Sequence, residues 1–354
     1  MSDDSFLERA YRELLEREID AEGREVFGGA LARGVDRFDV VLAMVRSEEF
    51  LERTVRRLNS LPNLIELHPE RYRAGRHANA RDASITVFDV SGPEAFDWIE
   101  RQVLDHGFYE LPGIWSLEET PASRLTADLV ARLASSPVLE LGCSAGILLE
   151  ALADRGIAGE GVEISRMAIA KASPRVRPRI RHGDLLDLSL ESRFSLIVGL
   201  DVFEHLNPNR LGGYVERIYD LLVPEGLVFA NIPAIGPDAE FGTVCPSYLD
   251  DWLEDERAHR LFSSLHVDER GFPLQGHLAW ADTTWWTRLF TGAGFARETE
   301  IEHVLHADFD SLLDEHCPAR RAFYVFSKEM AAGTRGKRLA ALRGAGRPAR
   351  PERA

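Results

Sequence analysis

Cysteine is scarce in this chain of 354 residues: Cys143, Cys245 and Cys317 stand far apart and form no CxxC pair. That excludes a disulfide framework and makes a reducing cytoplasm the expected compartment. No run of about 18 apolar residues is present, so no membrane span is expected. The opening residues lack a basic stretch followed by an apolar one, so no secretory leader is expected either. Two phosphate-binding loops are also missing. There is no GxGxxG turn for a dinucleotide and no GxxxxGK[ST] loop for nucleotide phosphates. Of the histidines, His259, His266 and His277 form no HxxxH or HxH pair, and no metal ion is expected.

Positive charge is short as well. The net charge is −16, and residues 328–354 carry eight Lys or Arg against two Glu, a local balance of +6 that leaves −22 for the rest. A folded part so acidic repels nucleic acid. The basic end, rich in Gly, Ala, Arg and Pro, offers little to bury, and a disordered tail over 331–354 is expected.

What the chain does contain is periodic. Over residues 5–59 apolar and charged residues alternate at helical spacing. Phe6, Ala10, Leu14 and Leu15 share one face; Val26, Phe27, Ala30 and Leu31 share a second, which Gly34 ends; Phe38, Val41, Leu42 and Val45 share a third, with Asp36 as its cap. A compact helical bundle over 1–59 follows. The residues Tyr11-Arg12-Glu13-Leu14-Leu15-Glu16-Arg17, Asp20, Gly23, Gly34 and Ser47-Glu48-Glu49-Phe50 resemble a family of small helical domains of unknown function found in bacterial surface-associated and glycan-modifying proteins. The resemblance implies a saccharide context and carries no catalytic residue. A bundle that packs, dimerises or docks a partner protein is the plainer alternative.

Residues 60–84 read as a linker, 85–90 as a strand, 93–105 as a helix opened by Pro93, and 120–133 as a second helix. Between those helices Tyr109 and Trp115 are candidate lid residues or simple packing. From Pro137 strand and helix alternate: strands at 137–142, 159–163, 179–182, 194–200, 226–231, 295–301 and 321–327, helices at 146–155, 165–172, 209–222 and 283–292. Such alternation builds an α/β fold, a parallel sheet covered by helices on both faces. The stretch 234–280 has no strand signal and reads as an inserted helical cap, helical for most of 246–262.

The chemistry gathers at the strand ends. Val138-Leu139-Glu140-Leu141-Gly142-Cys143-Ser144-Ala145-Gly146 is a buried strand running into a tight glycine turn that lets backbone approach a ligand. Glu163 ends the next strand about twenty residues on, where a carboxylate can accept both hydroxyls of a ribose. Asp184, after Gly183, can accept from an adenine amino group, with Leu185 against the ring. These pieces, with Asp201-Val202-Phe203-Glu204-His205-Leu206 and Leu222-Val223-Pro224-Glu225-Gly226-Leu227, stand in the order and spacing of the class I S-adenosylmethionine-dependent methyltransferases, which residues 115–330 closely resemble. The family more often has Pro-Gly-Gly at 224–226.

That resemblance implies a Rossmann-like, seven-stranded, mostly parallel doubly wound sheet with an antiparallel last strand, 322–327. It implies S-adenosyl-L-methionine as cofactor, held by Glu140, Gly142, Cys143, Ser144, Gly146, Glu163, Ile164, Asp184, Leu185 and Asp201. His205 and His277 are the candidate bases if the acceptor is a hydroxyl, with a pocket-shaping role as the alternative for His205. Trp280 is a candidate wall of an acceptor pocket; Trp285 and Trp286 read as packing. The expected reaction is methylation of a sugar hydroxyl in a glycan or its nucleotide- or lipid-linked precursor. A phenol, quinone or other small metabolite is the second acceptor class, and a binding scaffold without turnover the reading of another kind. A dehydrogenase would need the dinucleotide turn that is missing.

Overall fold

The structure is a computed structural model and describes residues 2–15, 17–47, 49–50, 61–77, 84–111, 119–191 and 193–345. The chain divides into two units, Met1–Pro62 and Asn63–Ala354.

The first unit is the expected helical bundle. Helix α1 (Asp3–Leu14) is capped by Ser2, α2 (residues 21–32, with a π-helical turn at Arg24–Gly28) by Asp20, and α3 (Arg37–Val45) by Asp36; each side chain accepts an orphan N–H of the first turn. Leu7, Tyr11, Leu15, Leu31, Val40 and Met44 bury together. The residues singled out in the sequence have physical jobs here. A Cβ on Gly23 would lie 2.1 Å from Tyr11 Oη, so only glycine lets α2 approach that ring. The Arg17 guanidinium lies 4.8 Å from the Tyr11 ring centroid and donates to Glu49 and Asp20.

The second unit is built on a seven-stranded sheet of order β5-β4-β3-β6-β7-β10-β9. Its members are β3 (Val138–Leu141), β4 (Gly159–Glu163), β5 (Ile180–His182), β6 (Phe194–Leu200), β7 (Leu222–Asn231), β9 (Phe295–Arg297) and β10 (Phe323–Lys328). Strands β3 to β7 pair in parallel, and β10 runs antiparallel to both β7 and β9. The central strands β3 and β6 are buried almost throughout, as unbroken apolar runs in a doubly covered sheet must be. One face packs on α9 (Leu211–Leu221) and α11 (Thr283–Gly292). The other packs on α6 (Pro121–Leu133) and α7 (Ile147–Asp154).

Four expectations need correction. Residues 60–84 are not simply a linker: α4 (Leu64–Leu67) and β1 (Tyr72–Arg76) lie in that stretch. The insertion between β7 and α11 does contain a strand, β8 (Ser264–His266), and its helix α10 spans only Asp250–Arg257. Strands β1, β2 (Ser84–Asp89) and β8 form a separate antiparallel sheet. Three-residue β8 lacks the length for a periodic signal, and its partner lies about 180 positions earlier in the chain. The strand expected at 295–301 stops at Arg297, and α12 (Thr299–His316) follows. Ile301, Val304, Leu305, Leu312 and Leu313 give α12 its buried stripe.

The basic end, expected to be disordered over 331–354, is helical over most of that stretch. Ala332–Gly344 is a helix, α13; 346–354 lie outside the described residues. Leu339 and Leu342, three apart, are buried in the same core as α12. Arg335 pairs with Glu298 at 2.5 Å, and Arg338 donates to the Glu225 carbonyl. Composition hid this helix because two leucines suffice when a neighbouring face is waiting. Leu342→Ala is therefore expected to cost about 2 kcal/mol or more, read as a lower urea midpoint of the full chain. An unchanged midpoint would return the segment to a passive tail.

Before the main sheet, α5 (Pro93–Asp105) lies on the loop after β6, where Asp97 and Glu100 accept from Asn207, and the turn Phe108–Glu110 packs on the insertion. Phe108 stacks on Phe272 at 5.6 Å, and Tyr109 Oη donates to the Gly276 carbonyl. Glu110 accepts from Arg166 N, Met167 N and Ser165 Oγ, so it holds the start of α8 (Arg166–Lys171) beyond the end of β4. Together these contacts close a roof over the carboxyl edge of the sheet.

Candidate active site

The carboxyl ends of β3, β4, β5 and β6 converge on one cavity of about 910 Å³. Open parallel sheets bind ligands at this edge, where the strand order reverses. Here the reversal falls between β3 and β6.

The turn after β3 is shaped by backbone constraints. Gly142 has φ +59°, and a Cβ there would lie 2.6 Å from Val202 Cγ2. Ser144 adopts φ +49°, uncommon for a residue with a Cβ. Its N–H donates to Glu163 Oε2 at 2.7 Å, while Glu163 Oε1 accepts from Ser165 N at 2.7 Å. Glu163 thus clamps the glycine turn to the start of α8, and each oxygen keeps a second lone pair for a ligand. Burial raises its carboxyl above the ordinary range, against the pull of these N–H donors.

Most of the expected cofactor positions meet here. Glu140, Gly142, Cys143, Ser144, Glu163, Ile164, Asp184, Leu185 and Asp201 all line the cavity. Glu140 is 5% exposed, its Oε2 has no hydrogen-bond partner, and burial lifts its carboxyl well above the ordinary range. Ile164 is 41% exposed, an apolar side chain held at the wall. The Cys143 sulfur packs toward Gly161, where a Cβ would come within 2.4 Å of it. Gly146 is the exception. It does not line the cavity; its φ of +75° ends the turn beside Val176 and Ile180.

Asp184 is more engaged than its expected adenine contact implied. Its Oδ2 accepts from Tyr214 Oη at 2.5 Å and from Arg210 at 3.2 Å, and Oδ1 accepts from Leu186 N. Arg210 continues to Glu100. Asp201, at φ +51°, pairs with Arg320 at 2.6 Å. Arg320 also donates to Asn231 Oδ1, so the turn after α12 braces the ends of β6 and β7. Glu100, Arg210, Tyr214 and Arg320 line the cavity too, and sequence reasoning did not find them. They come from elements whose meeting only the sheet order reveals.

His205 and His277, 72 positions apart, stand with ring centroids 4.7 Å apart, edge to face. Both line the cavity. Tyr109 Oη lies 3.4 Å from His205 Nδ1. Burial pushes the His205 imidazole down to about 4 and His277 well below its usual value, so both rings are neutral at pH 7. Glu204 lies beside them, 1% exposed, with His277 Nε2 at 4.0 Å from its Oε1. The Glu204 carbonyl accepts from Leu278 N and Ala279 N, which ties the insertion to the loop after β6. Tyr109 is buried and lines the cavity; Trp115 lies outside the described residues. Trp280 is not on the cavity wall but stacks on Trp252 at 5.1 Å.

A methyltransferase domain model matches residues 116–300, and a domain of unknown function matches residues 1–54. No curated protein matches the chain. Among solved structures it is similar to the methyltransferase CcbJ of Streptomyces caelestis, with TM-score 0.39 and 22% identity over 66% of this chain and 98% of that one. It is also similar to the 1,6-didemethyltoxoflavin N1-methyltransferase of Burkholderia thailandensis, solved with S-adenosylhomocysteine, with TM-score 0.42 and 15% identity over 71% and 97%. A third is the glycopeptide N-methyltransferase MtfA in complex with S-adenosylmethionine, with TM-score 0.33 and 18% identity over 50% and 78%. Among the described residues no helix is long and apolar enough to cross a membrane. The domain match spans more than half of the sequence and takes in every strand of the main sheet except β10, and the chain belongs to the methyltransferase-domain family.

Proposed function

We propose that the cavity binds S-adenosylmethionine and that the protein methylates a hydroxyl oxygen, with a sugar hydroxyl of a glycan or glycan precursor as the acceptor class. One observation carries the cofactor reading: six carboxylates line the cavity against two arginines. Arg210 and Arg320 are paired with Glu100, Asp184 and Asp201. Among the described residues no Lys or Arg lies within ion-pair distance of Glu140 or Glu163, and these two remain to face a ligand. A cationic ligand with an ammonium group and a ribose diol suits that wall. Glu163 keeps lone pairs for the diol, and the unpartnered Glu140 Oε2 suits the ammonium. Ile164 and Leu185 supply apolar surface for a base, and Asp184 Oδ1 keeps one lone pair. When bound, the cofactor supplies the methyl group on a cationic sulfur.

The remaining residues have positioning work. A cavity of about 910 Å³ is near the top of the range for small-molecule sites, which suits two ligands side by side. Holding two reactants in register is worth roughly 7–11 kcal/mol. His205 and His277 face the acceptor side, and a placed proton acceptor adds roughly 10²- to 10⁴-fold. The sugar assignment rests on the N-terminal domain's resemblance. A phenol or quinone is the second reading, favoured by the apolar wall of Val103, Leu104 and Tyr109. The intact Gly142 turn and Glu163 clamp weigh against a scaffold without turnover.

Isothermal calorimetry with S-adenosylmethionine tests the cofactor reading, and no detectable binding would overturn it. Transfer of a labelled methyl group to panels of glycans and of small phenols separates the acceptor classes. Labelling confined to the phenols would replace the sugar assignment.

A further inference from the structure

Beside the cofactor wall lies a group of side chains that methyl transfer by positioning does not require. Glu204 is buried with both carboxylate oxygens unpartnered, and His277 is buried with Nδ1 unpartnered. One ligand atom each from Glu204, His205 and His277 can be chosen so that all three lie within 4.8 Å of one another. A buried carboxylate without donors is costly, and among the described residues no side chain donates to this one. Two imidazoles and a carboxylate form a mixed nitrogen and oxygen set suited to borderline divalent ions.

We propose that Glu204, His205 and His277 bind a divalent cation of the zinc class, whose open positions take the oxygen of the acceptor; with the ion bound the two imidazoles are ligands, and the ion rather than either ring activates that oxygen. The binding stands on this cluster alone; the role given to the ion rests on the methyl-transfer reading of the cavity. Zinc donors lie about 2.0–2.2 Å from the ion, which sets tetrahedral ligand atoms roughly 3.4 Å apart. The three side chains therefore draw in slightly. Glu204 and His205 share the short turn Phe203–His205, and His277 follows the turn Leu274–Gly276, so each sits on a short turn rather than within a long element. Three protein ligands are the number found where zinc keeps a position for substrate, whereas closed structural sites use four. The contact between Tyr109 Oη and His205 Nδ1 is of the kind that orients a ligating imidazole.

The test uses the full chain, stripped with a chelator and then loaded with Zn(II) or Co(II). Mass spectrometry of metal content is expected to find one zinc per chain after gel filtration. X-ray absorption on the zinc-loaded wild type is expected to show a nitrogen and oxygen shell containing two imidazoles. Loss of a partner that merely orients a ligand costs roughly 10- to 100-fold in metal affinity, so Glu204→Gln, His205→Ala and His277→Ala are each expected to weaken binding at least about tenfold. His266→Ala, at a separate Tyr248 contact, is expected to leave it unchanged. Failure of the wild type to retain zinc, a sulfur in the shell, or three folded variants that bind as wild type would each overturn the site. The absorption experiment on wild type decides the matter even where a variant does not fold. Calorimetry with S-adenosylhomocysteine separates the two readings. Uptake of the ion without S-adenosylhomocysteine binding would sink the methyl-transfer reading and the ion's role in it while supporting the site; the reverse result would sink the ion site alone.

Discussion

Glu163→Ala is expected to weaken S-adenosylmethionine binding by about 100-fold or more. Two charge-assisted hydrogen bonds to a diol are each worth roughly 1.5–3 kcal/mol, and every 1.4 kcal/mol is about tenfold in affinity. The substitution also strips Ser144 N and Ser165 N of their acceptor, so the turn that should meet the ligand loosens at the same time. Thermal unfolding is expected to move down with it. Glu163→Gln separates these effects. Its amide oxygen keeps one of the two backbone donors, while its NH2 group faces the other, so stability recovers more than affinity. Binding by Glu163→Ala equal to wild type would remove the ribose assignment.

The same residue sets a pH dependence. Burial raises the Glu163 carboxyl in the ligand-free protein. Hydroxyl donors favour the charged form, so binding lowers that value and releases a proton. Affinity is then expected to fall with acidification, beginning above the ordinary Glu value of about 4.3. Calorimetry at a series of pH values in buffers of different ionisation enthalpy reads this directly; a flat profile down to the ordinary Glu range contradicts it. For stability without ligand the sign is opposite. A raised carboxyl favours the folded state below its unfolded value, and that contribution is lost as pH rises through the folded one.

Arg297→Ala is expected to cost about 3–5 kcal/mol of stability, the usual result of breaking a buried charge pair by removing one partner. Arg297 is the shared cation of a buried cluster: it pairs with Asp238 at 2.7 Å and with Glu302 at 2.8 Å, whose side chains are 4% and 0% exposed. Its guanidinium also lies 4.7 Å from the Tyr324 ring centroid. Glu302 Oε1 accepts from Val325 N, so the cluster joins the end of β9, the start of α12, strand β10 and the insertion that roofs the cavity. At roughly 2–4 °C per kcal/mol for a domain of this general size, the melting temperature should fall by about 10 °C. Adding Asp238→Asn and Glu302→Gln to Arg297→Met should recover part of the loss, because no charge is then left uncompensated. A shift of less than about 3 °C in Arg297→Ala would show that the cluster relaxes or hydrates.

Much of this molecule was legible before any coordinate. Strand β6 and helix α11 match their expected limits closely, because a seven-residue buried run and an Asp-capped amphipathic helix are local signals. Pro93 and the Thr120 cap likewise mark the starts of α5 and α6. The misreadings share a cause. Strand β8 is three residues long and exists because β2 needs a partner, and α13 folds because α12 presents an apolar face. Neither reason lies within the segment itself.

The site divides along the same line. Sequence alone determined the glycine turn, the carboxylate that ends β4 and the acid that ends β6, because a parallel sheet brings the ends of successive strands to one edge. It could not show that Glu163 spends part of its bonding on Ser144 and Ser165, or that Arg320 and Arg210 reach the same cavity. Nor could histidine spacing disclose that His277 stands beside Glu204 and His205, more than 70 positions earlier in the chain. Those facts were decided only when the insertion folded back over the sheet. Proximity across a fold is a property of packing, and the chain carries no local signal for it.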